Sequence, residues 1–349
     1  MTYLAGKVVL DVVAGAPNNG EGEDNVARTK QIRIGRDIYP YVSAQAFRRW
    51  LRDTMPLDEA RSPVVRSGSG KRQQAYTAGH PHLYMDDDLF GYMVAVAKAS
   101  YQRDTVLATG TLLAVRPQRP TSDFGTMTRG FGPEDNPVIH QHEHYTTELA
   151  GDLLLDLPRV GTFEVDGGGL CQAFPSAVAD EVRANGGEDT LLRGIPCVRL
   201  PLAERRRRVG VLLRALASLR GGAGQALHYG DRTPAFVLIA PIKGGINPFT
   251  RTVRLLDGET AFDVDVFAEE LDAWSDELDG PVRIGWAPGF LGDQRQRARR
   301  DLAGPIEAGQ VAFEHPRTML VSLATEIEHG DHDGWFDDPA VNQAADPAA

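Results

Sequence analysis

Cysteine is nearly absent. Cys171 and Cys197 are the two in 349 residues, too few for a disulfide framework and not at a metal-ligand spacing. No apolar run approaches the roughly 18 residues of a membrane-spanning helix. The opening MTYLAGKVVLDVV lacks the long apolar core and cleavage site of a signal peptide and reads as a first strand. These absences point to a cytoplasmic chain that makes no membrane contact. Lys and Arg are missing from 257–280, which holds ten acids, and from 326–349, which holds seven. A formal charge of −11 therefore hides an uneven distribution: without those two stretches, 37 basic residues stand against 31 acidic ones. Net charge gives a basic site no support, yet the distribution permits one. The hydrophobic share of 42% is enough for a core and excludes global disorder.

The basic excess gathers in residues 25–52, with seven Lys and Arg against one acid, Asp37. Gly35-Arg36-Asp37 is placed to turn a ribbon, Pro40 cannot donate to a sheet ladder, and Ser43 is a good N-cap, so a helix is expected from Ala44. Ala44, Phe47, Leu51 and Met55 fall on one arc of a 3.6-residue wheel and should face inward. Gln45, Arg48, Arg49 and Arg52 share the adjoining arc, and the free amides at the helix start favour an anion. The pattern suits a phosphate backbone; a solvated helix face is the bland alternative.

Further along, 14–27 is a polar Gly/Asn-rich loop and 60–80 shows no periodicity and reads as a mobile loop. Asp86-Asp87-Asp88 precede the helical pattern LFGYMVAVAKA, where acids favour the helix dipole. Residues 105–116 and 150–165 are strand-like, and the insertion between them, 117–149, is a candidate hairpin arm with Met127 near its Gly-rich turn. Residues 166–200 are a second Gly/Pro-rich insertion. Leu202 to Leu219 is the clearest helix; its four consecutive arginines, Arg205–Arg208, must fan around the axis, some along the core edge. Residues 235–243 are a buried-strand run, 263–279 an acidic helix, and 293–300 an Arg-rich loop that includes Arg295. The acidic, Ala/Pro-rich tail from about Gly330 is expected to be disordered. Without insertions, the order strand, helix, strand, strand, helix, strand is an α+β, ferredoxin-like βαββαβ arrangement. The aromatic signature by which RNA-recognition motifs of that fold stack bases is missing from the expected central strands.

Val42-Ser-Ala-Gln-Ala-Phe-Arg-Arg-Trp-Leu-Arg52, following an Asn/Gly-rich loop and a basic ribbon, resembles the DevR family of CRISPR-associated proteins, the backbone subunits of type I-B Cascade complexes. Asp86–Tyr92, His142–Tyr145, Gly221–Gly224 and Asn247–Phe249 match in the same order, and the resemblance spans roughly 3–325. It implies one palm-like domain over 1–325, with a finger at about 56–104 and a thumb hairpin at 117–149. It further implies a guide-RNA-binding subunit without catalysis, metal or cofactor, stacking head to tail with copies of itself beside other Cascade subunits. Sequence reading of target DNA is then left to guide pairing. Carried over by position, Ser43, Gln45, Arg48, Arg49 and Arg52 meet guide phosphates, as do Asn18 or Asn19, Arg28 and Lys30 in the preceding loop. Met127 is the thumb-tip candidate, acting as an apolar wedge. Lys243 and Arg295 complete the expected RNA contacts.

Other signals point elsewhere. In a type III-like alternative, Asp24 would polarise an attacking ribose hydroxyl and cut target RNA. A regulatory protein binding no RNA is the second alternative. Tyr84-Met-Asp-Asp87 spells a polymerase string, yet helical residues follow and helix capping is favoured. His140, His142 and His144 share one face of an extended segment without the rest of a zinc signature. Asp123-Phe-Gly125 carries no meaning without other kinase parts.

Overall fold

Val8, Leu10 and Val12 are buried on one side of the first strand and Val9 on the other, so this strand is covered on both faces. The structure is a computed structural model; it describes residues 1–20, 26–68, 73–96, 99–132, 134–136, 138–165, 172–223 and 229–338. The strands of its first half are β1 (Thr2–Gly15), β2 (Val26–Ala27), β3 (Gln31–Ile34), β4 (Asp37–Val42), β5 (Val64–Ser67), β6 (Gln74–Thr77), β7 (Tyr92–Val96), β8 (Ala99–Arg103), β9 (Leu107–Thr109) and β10 (Leu112–Ala114). The second half adds β11 (Thr121–Met127), β12 (Val138–Asp156), β13 (Thr162–Glu164), β14 (Glu188–Leu192), β15 (Ile195–Arg199), β16 (Phe236–Lys243), β17 (Val253–Leu256), β18 (Glu259–Phe262), β19 (Val282–Trp286) and β20 (Val311–Glu314). The helices are α1 (Ala44–Thr54), α2 (Met85–Phe90), α3 (Ser176–Ala184), α4 (Leu202–Ala217), α5 (Val264–Ala273), α6 (Gln294–Asp301), α7 (Ala303–Glu307) and α8 (Pro316–His329).

The strand order β16-β1-β12-β10, with α1 between β1 and β10 and α4 between β12 and β16, is the ferredoxin-like 4-1-3-2 arrangement. The sheet continues through β4 and β3 at one side and β19 and β20 at the other. Parallel β1 and β10 require a crossover, and α1 supplies it by burying Phe47, Trp50 and Leu51 with Met55 just beyond its end. Each such side chain contributes about 2–3 kcal/mol of transfer free energy. With α4 and α8 they cover one face. The opposite face is covered by β17–β18, α5 and α6 around Phe249, Phe262, Phe267 and Trp286.

Several local expectations give way. The helix after Asp86–Asp88 is short: it spans Met85–Phe90 and stops at Gly91, whose φ of 72° and closeness to the Arg103 carbonyl no Cβ would tolerate. Tyr92–Val96 then pairs with Ala99–Arg103 as a hairpin. The aperiodic 60–80 stretch holds another, β5 with β6. Residues 294–301 are a helix rather than a loop. The expected disorder from Gly330 fails over 333–336, a 3-10 turn whose Trp335 and Phe336 are buried, with Trp335 Nε1 donating to the Asp279 carbonyl at 3.1 Å. Apolar anchors inside an acidic tail outweigh its composition; residues 339–349 lie outside the described ones.

The three aspartates do structural work. Asp88 is fully buried between Arg103 and Arg208, which also donate to the carbonyls of Thr162, Arg159, Pro81 and His82. Asp87 accepts from the Ser62 hydroxyl at 2.7 Å and the His80 amide at 3.1 Å. Arg205 donates to the Val160, Pro158 and Phe336 carbonyls. Two of the four consecutive arginines are therefore core residues, an outcome beyond the edge position that fanning implies. Such a network ties α2, α4 and the 157–162 segment together, because any lost partner leaves a buried charge unpaired.

Candidate nucleic-acid interface

Two short extended pieces lie side by side where β1 ends. The Gly20 amide donates to the Arg28 carbonyl at 2.7 Å and the Lys30 amide to the Asn18 carbonyl at 3.0 Å, while Asn19 and Thr29 form a bridge. Asn18, Asn19, Arg28 and Lys30 are thus brought together. The Thr29 amide and hydroxyl both donate to Glu143 of β12, at 2.8 and 3.1 Å. The ribbon β3–β4 follows, turned at Gly35 with φ 62°. It keeps Arg33 and Arg36 exposed.

Helix α1 starts as its sequence predicts: the Ser43 hydroxyl accepts from the Ala46 amide at 3.3 Å. Trp50, which lies outside the expected inward arc, is buried and abuts the Gly221-Gly222 turn. There a Cβ on Gly222 would sit 2.6 Å from the Pro17 carbonyl oxygen and 2.7 Å from the Trp50 ring, and φ is 87°. The Ala223 amide donates to that same Pro17 carbonyl at 3.0 Å. These glycines therefore serve both a left-handed turn and close backbone approach. The glycine turn thus bridges the Trp50 side of α1 and the chain just before the Asn18 loop.

The cations of this region are not equivalent. Arg48 Nη1 donates to Thr109 Oγ1 at 3.0 Å and has no carboxylate partner among the described residues; burial first, then nearby Arg52, holds its guanidinium below the usual range. Arg49 is exposed and makes a 3.4 Å pair with Asp53 one turn on, worth a few tenths of a kcal/mol at most, about 0.3–0.5. Arg52 differs: its Nε lies 3.1 Å from the buried Asp86 carboxylate and its guanidinium stands 4.9 Å over the Phe90 ring. The charge of Arg52, which the sequence places among the phosphate contacts, is thus balanced by a buried carboxylate. Lys30, Arg33 and Arg36 carry no ion-pair partner among the described residues. The Asn18 side-chain nitrogen is buried without an acceptor among the described residues, a donor whose satisfaction by an incoming oxygen would recover its desolvation cost.

Three other expected contacts lie apart from this surface. Lys243 pairs with Thr2 at the far end of β1, roughly 43 Å along the strand from Gly15. Arg295 belongs to α6 on the opposite face of the sheet, where its Nε donates to the Trp286 carbonyl at 3.0 Å and it stacks over Phe313. Met127 ends β11, in register with Val138, about 23 Å beyond the level of Gly15 along β12. Phe124, Met127, Val138 and Ile139 are all exposed there, an apolar arm. His140 and His142 lie on that arm with ring centroids 5.1 Å apart. Among the described residues no three His, Cys, Asp or Glu side chains gather to hold a metal ion. Asp24 lies outside the described residues. Sequence reasoning also missed Thr109, Glu143 and Asp86; the Gly-Gly pair was the one available signal for the turn against Trp50.

No helix among the described residues is long and apolar enough to cross a membrane. No family model and no curated protein matches this sequence. Solved structures do: a chain of a CRISPR RNA-guided surveillance complex in its pre-nicking form matches at TM-score 0.55 and 10% identity over 93% of this chain and 100% of that one. A chain of another CRISPR RNA-guided surveillance complex matches at TM-score 0.51 and 14% identity, over 93% of this chain and 98% of that one. Over nearly its whole length, then, this chain has the fold of subunits found in such complexes.

Proposed function

We propose that the chain is a guide-RNA-binding backbone subunit of a type I-B-like Cascade complex, a member of the DevR family, assembling head to tail with its own copies. The guide lies against the surface of the Asn18 loop, the ribbon and α1, and pairs with target DNA; other Cascade subunits close the assembly, and the subunit itself does no chemistry. The observation that carries this reading is the gathering of Asn18, Asn19, Arg28 and Lys30 into two paired extended pieces at the end of β1, followed by a ribbon that keeps Arg33 and Arg36 exposed. Such a surface binds phosphates without regard to base. The likeness of fold to chains from RNA-guided surveillance complexes supports it. The exposed β11–β12 arm fits a reach toward a neighbouring copy, an open heterologous contact.

Co-expression with a CRISPR array followed by purification and sequencing of bound nucleic acid tests the reading. RNA of one discrete length, derived from the array, is expected. A protein that purifies free of nucleic acid, or with RNA of random origin and length, would overturn it. Cleavage of RNA complementary to the guide, abolished by Asp24→Ala, would replace it with the nuclease alternative.

A further inference from the structure

Two cavities meet along the end of the sheet beside α4 and α8. One, of ≈510 Å³, is lined by Asp11, Tyr229, Asp231 and Phe290; the other, of ≈320 Å³, by Arg220, Ser218 and Arg317. They share Asp231, Thr233, Pro234 and His315, so they form one groove with unlike halves.

The basic half has free charge. Arg317 Nη1 donates to the neutral Ser218 hydroxyl at 2.8 Å, and neither Arg220 nor Arg317 has a carboxylate partner among the described residues. His315 Nδ1 accepts from the Arg317 amide at 3.2 Å, which leaves Nε2 to carry the proton of the neutral ring and to donate. The other half holds acceptors and an aromatic face. Tyr229 is 94% exposed and is held at φ 44°, a left-handed conformation that bulky residues rarely adopt and that clusters at ligand sites. The Asp231 carboxylate is fixed by the Thr233 amide at 2.8 Å. Burial, then Glu148 and Asp231, push the Asp11 carboxyl upward. The groove also begins where the interface described above ends: the Thr54 hydroxyl of α1 accepts from the Arg220 amide at 2.9 Å, next to the Gly221-Gly222 turn.

We infer that this groove is a second single-stranded RNA subsite, which takes a nucleotide whose phosphate lies between Arg220 and Arg317 and whose base stacks on Tyr229. Asp231 and Asp11 accept from the base edge, where an exocyclic amino group offers two protons and uracil only its N3–H, so amino-bearing bases are preferred over uracil. The inference rests on the proposed function for the strand that enters from α1, and it gives a nominally sequence-blind surface one position that reads base chemistry.

The full chain, stripped of nucleic acid, is titrated with fluorescent oligo(A) and oligo(U) of equal length at several salt concentrations. Wild type is expected to prefer oligo(A). Arg220→Ala with Arg317→Ala should lower the salt slope by about 1.4, two single-strand phosphate contacts. Tyr229→Ala should weaken oligo(A) about fivefold or more, while Tyr229→Phe keeps the ring and the affinity. Asp231→Asn should shrink the preference for oligo(A). All these side chains are at the surface, and circular dichroism melting checks that the variants stay folded. An unchanged slope in the double-arginine variant overturns the groove. If Arg48→Ala lowers the slope in that same series, the α1 interface survives; if it does not, both readings fall. A lowered slope in the double variant with an unchanged one in Arg48→Ala keeps the groove and removes α1.

Discussion

Arg48 and Arg52 stand one helical turn apart on α1, and their surroundings predict opposite phenotypes. Arg52→Ala leaves Asp86 buried at 2% exposure with the Ser62 amide, at 3.1 Å, as its remaining donor among the described residues. Removing one partner of a buried ion pair costs about 3–5 kcal/mol. Arg52 is itself 31% exposed, so water already screens the pair and the loss belongs near the lower end, about 3 kcal/mol, including the contact with Phe90. RNA affinity per folded molecule should barely change, because that charge is already compensated. Arg48→Ala removes one hydrogen bond to a neutral hydroxyl, about 1 kcal/mol of stability. It also removes an uncompensated cation, which lowers the salt slope by about 0.7 and weakens binding about fourfold at 0.15 M salt. Urea denaturation reads the first quantity and anisotropy titration across salt concentrations reads the second. The reasoning is refuted if Arg52→Ala keeps full stability and lowers the slope, or if Arg48→Ala leaves the slope where it was.

Gly222→Ala should destabilise by more than the roughly 1 kcal/mol of a strained left-handed alanine, because the added carbon also meets the Pro17 carbonyl and Trp50; limited proteolysis should then show earlier cutting around Pro17. His82 is buried, with His80, Arg208 and Glu181 facing it, and burial above all holds its ring below the usual histidine value. A depressed folded-state value means stability that is present above the unfolded value, about 6.5, and is lost as pH falls through the folded one. His82→Leu should flatten that part of a stability-versus-pH curve, and an unchanged acid limb would show that other groups carry it.

The core was legible because its signals are local and periodic. Alternating valines marked β1, the Ser43 cap and the Phe47/Leu51 arc marked α1, and the leucine spacing marked α4. What failed depends on partners distant in sequence. Asp86–Asp88 look like helix-capping acids until Arg52, Arg103 and Arg208 arrive from elsewhere, and tertiary pairing then decides both their burial and the length of α2. Arg295 looks like a free cation until Phe313 and the Trp286 carbonyl occupy it. The same blindness made all three α1 arginines seem alike. Charge pattern locates a basic surface; it does not tell which of its charges are spent.

One strand, β12, runs 19 residues from the exposed arm to the middle of the sheet. Its Glu143 holds the Thr29 backbone, and its Tyr145 lies opposite Gly15. One continuous strand therefore connects the arm to the segment that holds the Asn18–Lys30 pieces. If a neighbouring copy docks on the arm as proposed, its contact and the residues offered to nucleic acid would share this one strand.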